Sequence, residues 1–204
     1  MAKYVAMQTK ASSNNLERYT SQAIRQIGAR VEALLSWHSS LEMYRRSIER
    51  QLALLAACMH TEDVSLLPSS VFLLVEMRGS GGLSVPLEQI ALVLSEVGYW
   101  KSSRYAQTYH PRDVYSLGRS AQRLFDDYAA LDGRVRQLHA HLSSIREYWH
   151  MKPEATPQEV FEGVAMVATE DRAEIQAGVD AIVDLLEQPS KYRWFVRLVD
   201  ALRV

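Results

Sequence analysis

VYSLGRSAQRLFDDYAALDGRVRQLHAHLSSIREYW, residues 114–149, repeats an apolar side chain at alternating spacings of three and four. The series is Val114, Leu117, Ala121, Leu124, Tyr128, Leu131, Val135, Leu138, Leu142, Ile145 and Trp149. An α-helix turns once in 3.6 residues, so this alternation gathers all of them into one stripe, the a and d positions of a heptad repeat. No charged residue interrupts the stripe. Pro111 lies before it and Pro153 after it, and proline cannot sit inside a helix without losing a hydrogen bond and clashing with the preceding turn.

A second stripe lies upstream, in Ile24, Ile27, Val31, Leu34, Leu41, Ile48, Leu52, Leu55 and Met59, broken only by His38 and Arg45 at a positions. The stripes 24–59 and 114–149 are equally long, each about 54 Å of helix at 1.5 Å per residue. Equal length and a short connection predict that they fold back on each other as an antiparallel hairpin. Setting a against d gives partner numbers that sum to about 176. That register pairs Leu55 with Ala121, Leu52 with Leu124, Ile48 with Tyr128 and Leu34 with Leu142, and places Arg45 opposite Leu131 between the carboxylates of Asp127 and Asp132. Leu35, Trp37 and Tyr44 widen the first stripe beyond a coiled-coil seam, so further elements should pack there. The expected fold is all-α, with two long heptad-patterned helices paired within a bundle.

Outward from the hairpin the chain divides into an N-terminal arm (1–15), the hairpin (16–152) with an insert at 61–113, and an acidic helical module (153–204). The first helix is expected to begin near Asn14 or Asn15. Within the insert, LPSSVFLLVEMR (67–78) is short enough to suit a helix or a strand, and helix is the expectation. The turn GSGG (79–82) precedes a helix from Ser84 with Ile90, Leu94 and Val97 on one face, ended by Gly98. A further helical turn is expected over 101–109. Thr156-Pro-Gln-Glu159 is a capping box with proline in the first turn. It opens a helix bearing Phe161, Val164 and Val167. Thr169 is expected to cap the next, with Ile175, Val179, Ile182 and Leu186, and Ser190 a last one.

Composition narrows the function. With 48% apolar and 23% charged residues the chain can bury a core, and no apolar run approaches the roughly 18 residues of a membrane span. The N-terminus lacks the apolar stretch of a signal peptide, and Cys58 is the sole cysteine, so a soluble, cytoplasmic protein is expected. Net charge is −1 but unevenly spread, with an excess of basic residues over 99–112 and of acidic ones over 153–188. No nucleophile elbow, phosphate-binding loop, dinucleotide fingerprint or HExxH is present. His139 and His141 point about 200° apart on a helix, which does not suit a metal. The pairs Asp126–Asp127 and Glu170–Asp171 read as solvated carboxylates. Neither an enzyme, a cofactor nor a metal site is expected.

Two segments could carry binding. Tyr99, Trp100, Lys101, Arg104, Tyr105, Tyr109 and Arg112 interleave aromatic and basic residues, with His110 among them and no acid. This suits a protein-binding tip, since Tyr, Trp and Arg are enriched in interface hot spots. It also suits aromatics that pack the insert onto the hairpin, or the recognition helix of a helix-turn-helix-like unit over 84–112. In the C-terminal KYRWFVRLVDALRV, Arg193, Trp194 and Arg197 could bind a partner or a membrane surface, or the segment could dock on the acidic helices before it. The expected function is a non-enzymatic adaptor or structural subunit that binds other proteins. The alternative is a nucleic-acid-binding regulator dimerised through its heptads, and a homodimer remains open in either case.

Overall fold

A computed structural model of the chain describes residues 19–60, 66–101, 109–167 and 175–187. These form six helices: α1 (Ser21–Cys58), α2 (Pro68–Arg78), α3 (Ser84–Glu96), α4 (Pro111–Tyr148), α5 (Pro157–Met166) and α6 (Gln176–Glu187). No strand occurs among the described residues. The fold is all-α, with α1 and α4 paired as an antiparallel hairpin inside a bundle. The apolar stretch 69–78 is helical, as the sequence reading favoured. The arm at 1–15, the helical turn over 102–108, the Thr169 cap and everything from Ser190 onward lie outside the described residues.

The chain divides into two compact units. One is His38–Asp132, an insert-bearing unit in which α2 and α3 join the facing parts of the long helices. The other, a tail-bearing unit, holds the remaining parts of α1 and α4 together with α5 and α6.

In the insert-bearing unit Ile48, Leu52 and Leu55 of α1 meet Leu117, Ala121 and Leu124 of α4 in one core, with Phe72 of α2 and Leu87 of α3. All the seam residues named are fully buried, each leucine contributing about 1.5–3 kcal/mol by leaving water. Two polar devices close helix ends. Gln122 of α4 accepts from the backbone N–H of Ser69 at 3.3 Å, which serves an N-terminus whose Leu67 cap has no capping side chain. Arg78 donates to the Met59 carbonyl at the end of α1. Helix α3 ends in a Schellman motif, Tyr99 N–H bonding to Leu94 O at 2.8 Å and Gly98 N–H to Ser95 O at 3.1 Å, with Gly98 left-handed at φ 76°.

The register in this unit corrects the expected one. His38 Nε2 lies 3.1 Å from Asp132 Oδ1, the His38 ring stacks on Tyr128 at 5.1 Å, and the Arg45 guanidinium stands 4.8 Å from the centre of the same tyrosine ring. These pairs place partner numbers at a sum of roughly 169, one heptad from 176. Heptads slipped by seven bury identical stripes, so periodicity alone could not separate the two. What separates them is the polar content of the seams. Both interruptions of the first stripe flank the single tyrosine of the second, where an imidazole can stack and a guanidinium can lie over the ring. Arg45 bonds to Glu49 on its own helix, not to Asp127 or Asp132.

The tail-bearing unit has a wholly apolar seam, with Ile24, Ile27, Val31 and Leu34 of α1 and Val135, Leu138, Leu142 and Ile145 of α4 all buried. Helix α5 approaches α1 so closely that a Cβ at Gly28 would lie 2.8 Å from Phe161 Cβ. Arg25 pairs with Glu162 at 2.7 Å, and Ser21 Oγ donates to Ala165 O at 3.0 Å. The predicted capping box is present: Glu159 N–H bonds to Thr156 Oγ1 at 3.2 Å, and Thr156 N–H to Glu159 Oε2 at 2.7 Å. The expected face of Ile175, Val179, Ile182 and Leu186 is buried.

Two further corrections concern helix ends and Asp127. Helix α1 begins at Ser21, not near Asn14, because Thr20 Oγ1 accepts from the Ala23 N–H at 3.1 Å as an N-cap. Asp126 is exposed as expected, but Asp127 is only 2% exposed, since it falls one position before the Tyr128 seam residue and faces Tyr99.

Candidate functional site

Helix α4 turns its a and d positions inward, so its c and f positions face out, and Arg112, Ser116, Arg119 and Arg123 occupy them at spacings of four, three and four. All four are exposed. Around them lie two adjoining hollows of the insert-bearing unit. The first is an open cleft of about 570 Å³, lined by Tyr99, Ser116, Arg119, Ser120, Arg123 and Asp126. The second, about 210 Å³, lies between α2 and α4 and is lined mainly by Phe72, Leu73, Tyr115 and Gly118. Arg119 and Gln122 border both. The second hollow exists because α2 nearly touches α4: a Cβ at Gly118 would stand 2.7 Å from Phe72 Cβ and Cγ.

The cleft wall at Tyr99 is backed by the buried carboxylate of Asp127. The Tyr99 hydroxyl donates to the Asp127 carboxylate. Burial pushes that carboxyl above the usual carboxylate range, against the opposing pull of the Tyr99 bond and of Arg123. Arg123 lies 5.9 Å from the centre of the Tyr99 ring, and Arg119 the same distance from that of Tyr115. Neither guanidinium has a carboxylate within ion-pair distance among the described residues. Asp126 on the rim already accepts from the Gln122 amide at 2.9 Å.

Of the aromatic and basic segment read from sequence, Tyr99 and Trp100 are half-buried against the core and Tyr109 is buried within it. Burial pushes the Tyr109 hydroxyl up, with Glu88 and Asp113 adding to the effect. Lys101 and Arg112 are exposed. Arg104 and Tyr105 lie outside the described residues, as do Arg193, Trp194 and Arg197 of the C-terminal segment. The structure therefore brings Tyr99 together with residues not singled out from sequence, Arg119 and Arg123. Their signal was legible as outward arginines at helical spacing, but without α2 and the end of α3 it reads as an ordinary solvated face.

Among the described residues no group of three or more His, Cys, Asp or Glu side chains is placed to hold a metal ion, and no helix is long and apolar enough to cross a membrane. Compared with protein-family models, with curated proteins and with solved structures, the chain matches none.

Proposed function

We propose that the protein is a non-enzymatic helical adaptor or structural subunit that binds another protein through the outer face of its insert-bearing unit. One observation carries the reading. Of the eleven large hydrophobic side chains exposed among the described residues, nine belong to His38–Asp132, including Leu73 at 56%, Met77 at 75% and Tyr115 at 54% exposed. Scattered apolar residues on a surface are ordinary, but Leu73 and Tyr115 line the smaller hollow together and Met77 lies one turn from Leu73 on α2, and such a cluster supports a binding surface. Helix α2 is apolar on both sides, burying Val71, Phe72 and Val75 while exposing Leu73 and Met77, which is more than its packing requires.

The alternative, a nucleic-acid-binding regulator with a helix-turn-helix-like unit over 84–112, would gain phosphate contacts from the outward arginines of α4. Leucine, methionine and tyrosine beside them favour a protein partner, because duplex DNA is held chiefly through phosphate contacts that apolar side chains cannot make. A photocrosslinking amino acid placed at Leu73 in living cells tests the proposal, with Gln137 on the tail-bearing unit as the control position. Discrete protein adducts from position 73, absent from 137, are expected. Identical adduct patterns from both positions, or none from position 73, would remove the reading. Adducts consisting only of a second copy of this chain would reassign the face to self-association.

A further inference from the structure

The two hollows differ in chemistry but share a border, and the two arginines that line them make no ion pair among the described residues. Of the acids nearby, Asp127 is buried and bonded by the Tyr99 hydroxyl, and one oxygen of Asp126 accepts from Gln122. Glu76, which also lines the apolar hollow, makes no hydrogen bond or ion pair among the described residues. The Gln122 carbonyl oxygen is used by the Ser69 N–H. Among the described residues Arg119 and Arg123 each lie over a ring and form no hydrogen bond or ion pair, Arg123 acting on Asp127 only through its field, and the hydroxyls of Ser116 and Ser120 make no hydrogen bond. Each guanidinium presents five N–H donors in a fork that matches a carboxylate. Beside them, Leu73 and Tyr115 flank an apolar hollow large enough for one side chain.

We infer that cleft and hollow together seat an acidic segment of a protein partner, with carboxylates on Arg119 and Arg123 and an apolar side chain between Leu73 and Tyr115. The inference rests on the adaptor reading and adds the chemistry of the partner. On α4, Arg119 stands about one helical turn and Arg123 a little over two from Tyr115, so acid and anchor belong within a few residues of each other on the partner. The stacked positions of the arginines favour such a ligand, because a guanidinium held over a ring loses less freedom when it binds a carboxylate.

Selection of a phage-displayed random dodecapeptide library on the immobilised full chain tests it. Enriched peptides should combine Asp or Glu with a nearby Leu, Phe or Trp. A synthetic copy should bind at least about tenfold more weakly to Arg119→Glu/Arg123→Glu, with a comparable loss when its acids become Gln or Asn. The uncharged Arg119→Gln/Arg123→Gln protein, with helical circular dichroism compared to the parent, separates lost binding from lost folding. Enriched peptides without acids, affinity indifferent to the charge reversal, or no enrichment would overturn the inference. So would a DNA duplex of roughly 20 base pairs that binds more tightly than any selected peptide and is lost in the same variant. The two levels fail separately. If only the acidic chemistry is wrong, crosslinks from Leu73 persist in the charge-reversed chain; if the adaptor reading is wrong, they are missing from the parent.

Discussion

The two units use the same heptads to different ends. In the tail-bearing unit the seam is apolar throughout, α5 seats its Phe161 against Gly28, and among the described residues only Tyr148 and Met166 are exposed large hydrophobics. In the insert-bearing unit the seam admits His38, Arg45 and Tyr128, the carboxylate of Asp127 is buried, and nine large hydrophobics face out. The described residues of the first keep nearly all their large apolar side chains inward. The other carries polar groups that set register within the hairpin and apolar groups beyond what its own core consumes. Such a division suits a protein in which one part is scaffold and the other contacts something else.

The heaviest blow to the contrast would fall on the scaffold. Phe161→Ala empties a fully buried site in the tail-bearing unit and should cost about 3–5 kcal/mol. Hydrogen exchange should quicken in α5 and the facing part of α1 more than in α2 and α3. Uniform acceleration across both units would show that they unfold as one.

In the insert-bearing unit, Gly118→Ala should cost about 1–3 kcal/mol, because the added methyl meets Phe72 and α2 must move off α4. Denaturant unfolding checks the cost. The same displacement should weaken whatever the Leu73–Tyr115 hollow binds.

Both long helices end on a histidine in the left-handed region, His60 at φ 52° and His150 at φ 50°. At the end of α4, His150 N–H bonds to Glu147 O and Met151 N–H to Arg146 O, both within 3.1 Å, which is a Schellman motif with a Cβ where glycine is usual. His150→Gly should therefore stabilise the protein by about 1 kcal/mol, seen as a rise in melting temperature. A loss would mean that the imidazole makes contacts outweighing its backbone strain.

The smallest effect concerns pH. Asp127 holds its proton more tightly in the folded chain than an ordinary carboxylate does, so its contribution to stability falls as pH rises from the ordinary carboxylate range through the raised value. Asp127→Asn keeps an acceptor for Tyr99 and cannot ionise. Its stability relative to the parent should improve between acidic and neutral pH, as measured by urea midpoints at both. A relative loss toward neutral pH would show that the ionised carboxylate is favoured by Tyr99 and Arg123 more than burial disfavours it.

What could be read directly was whatever depends on neighbours along the chain. Helical periodicity gave both long helices, prolines and glycines bounded α2, α3 and α5, and the Thr156–Glu159 box was present as read. Local signals placed the start of α1 less well: Thr20 caps it before Ser21, and the start expected near Asn14 or Asn15 lies outside the described residues.

Long-range pairing lay beyond such signals. A heptad slipped by seven residues buries the same stripe, so the register was decided by which polar side chains could meet across the hairpin, His38 and Arg45 around Tyr128. Asp127 and Arg123 look alike in sequence, two charged residues on one helix. Only the arrival of Tyr99 at the end of α3 buries the first and leaves the second at the mouth of a cleft. Sequence by itself determined the helices and the stripes along them, because those follow from contacts a few residues apart. Tertiary structure decided the register and the candidate surface, because a side chain's burial depends on what distant segments place against it.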